Sequence, residues 1–285
     1  MSDAVAAAKS AGTEAQHHAA PWIERLARVG YAAKGFIYVL IGVLAMRAAF
    51  SGSGDGKTTG SKGALATLAD EGTFSLIVLW IVAIGLVGYA LWNLFRAIMD
   101  PENEGNDKKG IAKRVFFGIS AVIHASLAFW VFKTLLSSSG GSGGESGGTQ
   151  GLVQSVLEWG VVGQVVVAAV GLGIGGFAVQ QLIKAYKVDL SDELMYGKMS
   201  RTTQKVTTIS GRLGLAARGV VFLVVAAFIV TAALQSDSSE AGGLSDAMKK
   251  VGTYGPIVLG FIAVGMAAYG VYMFIKARYR RIEAE

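Results

Sequence analysis

The 285-residue chain has no cysteine and only three prolines, and just 16% of its residues are charged. Without cysteine there are no disulfides, thiolate metal sites or thiol nucleophiles. Scarce proline leaves helices unbroken, and a charged share below the roughly one quarter of a soluble domain points to lipid as the solvent. Acid is missing where it would matter most, because none of the 20 Asp and Glu falls inside a long apolar block. That argues against a carboxylate proton relay or a cation-driven pump. No G-x-S-x-G turn, phosphate-cradling Gly-rich loop or metal-ligand spacing occurs, so catalysis is not the expectation. Haem would ask for two axial ligands, and His124 is the sole histidine in an apolar block. Neither cofactor nor metal is expected.

What the chain has in quantity is apolar sequence, 52% of residues, gathered near 29–50, 74–98, 115–136, 160–183, 213–234 and 256–276. About 20 helical residues cross a ~30 Å hydrocarbon core, so each block is a span. The 39 glycines suit membrane helices whose backbones approach closely. Residues 1–20, with His17 and His18, read as a disordered tail without the apolar core of a cleavable signal. Residues 21–280 read as one membrane domain and 281–285 as a cytoplasmic C-terminal tail.

Basic residues alternate between the loops. Eighteen of the 26 Lys and Arg lie before the first span, around 96–114, around 184–212 and in 276–281, against five on the other side (Lys57, Lys62, Lys133, Lys249, Lys250). By the positive-inside rule the richer side faces the cytoplasm. The expectation is a multi-pass protein of the cytoplasmic (inner) membrane with both termini cytoplasmic. The net charge of +6 then calls for anionic lipid headgroups as partners and for no nucleic acid.

An internal repeat organises the spans. Arg28 to Gly35 reads RVGYAAKG and Arg212 to Gly219 reads RLGLAARG, with a weaker copy from Arg114, RVFFGISAVIHA. In the second helices Gly85, Tyr89 and Arg96 match Gly173, Phe177 and Lys184, and again Gly265, Tyr269 and Lys276. The repeats run over 25–100, 111–187 and 209–280. Each crosses the membrane twice, so all share one orientation about an axis along the membrane normal. The fold expected is an all-α integral membrane protein of six transmembrane helices, built as three tandem helical hairpins in a pseudo-threefold arrangement. In the outer loops, GALATLADEG carries Ala64, Leu65 and Leu68 at helical spacing and predicts a turn lying along the membrane surface. Ser137 to Gly151 predicts a flexible linker.

The Arg-x-Gly-Tyr-Ala-Ala-Lys-Gly opening and the GLVGYALW segment from Gly85 to Trp92 resemble the bacterial membrane proteins grouped as domain-of-unknown-function family 1206. The resemblance covers about residues 25–280. It implies three hairpins and no activity. The middle copy departs from the pattern, with Ser120 in place of Lys34 and Arg218 and with His124 in place of Tyr38 and Phe222.

Two sets of residues are candidates for ligand binding. Lys34 and Arg218 sit at one depth in two repeats, about 9 Å past the opening arginine, with Ser120 as the third member. Either they snorkel to the headgroups or they line a cavity for an anionic group. On the second helices, Gly85, Tyr89, Trp92 or Asn93, and Arg96 share one face. Phe177, Gln180 or Gln181, and Lys184 correspond in the second copy, and Tyr269, Tyr272 and Lys276 in the third. That face either lines a cleft or is a packing seam with an aromatic belt. The sequence therefore leaves two functions open. One is small-solute permeation or transport, or binding of an anionic lipid or amphiphile, through a cytoplasm-open cavity. The other is an accessory or scaffold subunit that contacts a membrane-protein partner or itself. A lipid-directed enzyme stands third.

Overall fold

A computed structural model describes residues 24–50 apart from Leu26, together with 76–100, 105–136, 148–187, 194–280, Ser61, Ala64 and Leu65. The readings of 1–20 and 281–285 as tails lie outside the described residues. Eight α-helices are found among the described residues: α1 (Ser2–Phe50), α2 (Thr73–Met99), α3 (Lys108–Leu136), α4 (Glu145–Leu157), α5 (Val161–Lys187), α6 (Arg201–Gln235), α7 (Leu244–Gly252) and α8 (Pro256–Tyr279). Six of them, α1, α2, α3, α5, α6 and α8, are long and apolar enough to cross a membrane. All 20 acidic residues lie outside the six spans.

The spans are arranged in the order α1, α2, α3, α5, α6, α8, with α8 packed back on α1 and the circuit left open between α3 and α5. The three contacts between successive repeats, α2 with α3, α5 with α6 and α8 with α1, are each extensive, and they are equivalent in detail. Arg28 donates to the carbonyls of Ala277 and Arg278 at 2.8 and 2.5 Å. Arg114 does the same to Ala97 and Ile98 at 3.0 and 2.9 Å, and Arg212 to Ala185 and Tyr186 at 3.3 and 3.4 Å. The arginine that opens each repeat thus caps the second helix of the preceding repeat, whose last carbonyls have no intrahelical partner and carry the negative end of the helix dipole.

Within a hairpin, small residues set the approach. A Cβ on Gly30 would come 2.6 Å from the Tyr89 backbone nitrogen, and one on Gly214 would come 2.6 Å from that of Tyr269. Hairpins one and three are therefore closed by helix backbones in contact. The middle hairpin is different, because α3 and α5 do not pack along their length. Phe116 stands where the other repeats have Gly30 and Gly214, and Ile119 where they have Ala33 and Ala217. Side chains of that bulk cannot enter a contact made between backbones. Instead the Phe116 and Phe177 rings stack across the gap with centroids 4.8 Å apart.

One sequence expectation about the outer segments needs correction. Ser137 to Gly151 is not a linker throughout, since α4 begins at Glu145. Ala64 and Leu65 are buried in the core, and in the third repeat Ala247, Met248 and Val251 of α7 are buried against the bundle. Ala64, Leu65 and the apolar face of α7 thus pack against the bundle. Leu68 lies outside the described residues.

Candidate functional site

Repeat symmetry brings the chemistry to one level of the bundle. Lys34 Nζ donates to the Tyr89 hydroxyl at 2.9 Å within the first hairpin. Arg218 donates to the Tyr269 hydroxyl at 2.9 Å within the third. Arg218 also reaches the Tyr38 hydroxyl at 3.0 Å and the Gln181 side-chain oxygen at 3.4 Å, drawing the first and middle repeats into the same cluster. Both cations are buried, Lys34 at 7% exposure and Arg218 at 9%. They turn inward to hydroxyls instead of snorkelling to headgroups, because phenols at matching depth supply the acceptors that water would otherwise provide.

Around them runs a belt of six rings, two from each repeat. Tyr38 meets Tyr269 edge-on at 4.7 Å, His124 meets Tyr89 at 4.6 Å, and Phe222 meets Phe177 at 5.5 Å. In every case a first helix supplies one ring and the preceding repeat's second helix the other. The Arg218 guanidinium lies 5.2 Å from the Phe177 ring and 5.0 Å from that of Phe222, near enough for cation–π attraction. In the middle repeat both members of the cation–tyrosine pair are changed together: Ser120 replaces the cation and Phe177 the tyrosine. One turn on, the His124 Nδ1 lies 2.7 Å from the Ser120 carbonyl oxygen and 3.4 Å from the Ser120 hydroxyl.

The remaining sequence candidates divide. Gln181 is buried and Gln180 is exposed, which decides between them. Asn93 is buried but spends its amide on the Tyr89 carbonyl of its own helix at 2.8 Å. Arg96 stacks 3.5 Å from the Phe117 ring. Lys276 approaches the rings of Tyr31 and Tyr272 at 5.6 and 5.5 Å, a second layer nearer the helix ends. Lys184 sits half-buried at the end of α5, apart from the belt. Sequence reasoning passed over Tyr38, although its alignment with His124 and Phe222 marked the position. An open depression of about 640 Å³ lies at the arginine-capped end among Arg28, Lys198, Phe274, Arg278 and Tyr279. Neither Lys34 nor Arg218 lines it.

The model of the family described as Domain of Unknown Function (DUF1206) matches the chain three times, over residues 29–100, 116–188 and 213–280. The chain belongs to that family. A curated relative, "Uncharacterized protein YxxB" of Bacillus subtilis (strain 168), is 29% identical over 268 residues, 93% of this chain and 94% of that protein. No solved structure matches the chain.

Proposed function

We propose that this DUF1206 protein binds the anionic group of a solute or amphiphile between Lys34 and Arg218, within the cytoplasmic membrane and with both termini cytoplasmic. The observation that carries the reading is a charge imbalance at depth. Among the described residues, the hydrogen-bond partners of these two cations are the hydroxyls of Tyr38, Tyr89 and Tyr269 and the amide oxygen of Gln181. None of the four is a carboxylate. Acidic residues are absent from every span. Hydroxyl and amide oxygens satisfy N–H donors without the full countercharge of a carboxylate, and an undercompensated ion in a low-dielectric interior costs several kcal/mol. A carboxylate or phosphate seated there would supply the missing charge through bonds of about 1.5–3 kcal/mol each. Retention of such an anion and its permeation both need this binding step. The cytoplasmic orientation is supported by the lopsided distribution of Lys and Arg.

The test is equilibrium binding of radiolabelled dodecyl phosphate and of inorganic phosphate to the purified chain. Replacing Lys34 and Arg218 together by Met is expected to abolish binding while helicity and monodispersity persist. Wild-type binding in that folded double variant would overturn the reading. Arg218→Lys, which keeps the charge, is expected to retain most of it.

A second reading, an accessory or scaffold subunit, draws on the sparse cover of α3 and α5, whose spans are 17% and 22% buried where the other four are half-buried or more. It predicts that a membrane protein co-purifies on that face in mild detergent. Its loss on introducing Lys at Ile123 would locate the contact.

A further inference from the structure

We infer, building on the anion site just proposed, that its ligand is a single-chain anionic amphiphile that enters sideways from the bilayer through the open middle hairpin, past Phe116 and Phe177. The seam between α3 and α5 is what hairpins one and three bury and hairpin two leaves open. Ile37 and Val221 are 3% and 0% exposed, while their counterpart Ile123 is 58% exposed. On the second helix Val82 is 2% exposed and its counterpart Val170 is 54% exposed. At Gly173 an added Cβ would meet nothing within 4 Å, although at Gly265 it would run into Ala217.

The chemistry of the seam changes along its depth. Its outer walls, Ile119, Ile123 and Val170, are hydrocarbon, which suits an acyl chain and repels a hydrated solute. Its inner end is the Phe116–Phe177 stack, and the Arg218 guanidinium lies over the Phe177 ring at 5.2 Å from its centroid. The route proposed to Arg218 is a rotation of the Phe177 side chain. No backbone contact between α3 and α5 has to break, because the two helices do not pack along their length. An amphiphile matches both ends: its head answers the charge and its tail replaces lipid already in the groove. A second copy of this chain would offer the seam another apolar helix face and leave the two cations unanswered.

The experiment uses the full chain and measures dodecyl phosphate and inorganic phosphate binding to wild type, Gly173→Ala and Gly173→Leu. An added Cβ at 173 meets nothing within 4 Å, so a leucine there extends into the open seam. The expected result is about tenfold weaker dodecyl phosphate binding for Gly173→Leu, or about 1.4 kcal/mol, with Gly173→Ala close to wild type. Undiminished dodecyl phosphate binding by Gly173→Leu, alongside its loss in the Lys34/Arg218 double variant, would overturn the lateral route and leave the anion site standing. Inorganic phosphate binding as tightly as dodecyl phosphate would show that the anion comes from water and overturn the amphiphile. A wild-type dimer that Gly173→Leu dissociates would assign the seam to a second copy and overturn the route as well. Failure of the anion site itself is read separately, from unchanged binding in the double variant.

Discussion

Lys34 and Tyr89 form a buried pair, Nζ to hydroxyl at 2.9 Å, that the third repeat reproduces as Arg218 and Tyr269 and the middle repeat replaces by Ser120 and Phe177. The two members change together because each is costly alone. A cation without the hydroxyl loses an acceptor in a place where water is excluded, and a phenol without the cation is a buried polar group short of a partner.

Tyr89→Phe should therefore destabilise more than Tyr269→Phe. Among the described residues Lys34 has Tyr89 as its hydrogen-bond acceptor, whereas Arg218 keeps Tyr38 and Gln181 when Tyr269 loses its hydroxyl. A penalty of about 1–3 kcal/mol is expected for Tyr89→Phe, read as a lowered melting midpoint in detergent. Equal midpoints for the two variants would contradict the assignment.

Glycine substitutions should sort by repeat. Gly30→Ala and Gly214→Ala push a methyl into the Tyr89 and Tyr269 backbones, and overpacking of this kind costs about 1–3 kcal/mol. Gly173→Ala, with open space around it, should leave the midpoint within about 0.5 kcal/mol of wild type. The same midpoint measurement decides.

Loss of a capping arginine should weaken each inter-repeat junction alike. Arg28→Ala, Arg114→Ala and Arg212→Ala each remove two hydrogen bonds to the end of a neighbouring helix. An effect of about 0.3–2 kcal/mol is expected for each, with faster amide exchange confined to residues near 277, 97 and 185. Exchange that rises elsewhere and not there would refute the cap.

Topology can be tested directly because the chain has no cysteine of its own. Single cysteines placed at Ser53, Ser142 and Ser238 should react with an impermeant thiol reagent in intact cells, and one at Asn106 should react after lysis alone. Labelling at Asn106 in intact cells would reverse the orientation.

The sequence by itself determined the six spans, their grouping into three hairpins and the common depth of Lys34 and Arg218. Those features are written locally: span length follows from runs of apolar residues, and duplication keeps spacing from each opening arginine. Even the departure of the middle copy was visible in Ser120 and His124. The tertiary structure decided which faces meet. In lipid the burial pattern does not announce the partner, since a helix face packed on another helix and one packed on acyl chains are equally apolar. Only the assembled bundle shows that Tyr38 serves an arginine 180 positions away, that Gln181 and not Gln180 turns inward, and that each arginine caps the preceding repeat. It also shows that Phe116 and Ile119, two side chains too large for a contact between backbones, hold the middle hairpin open.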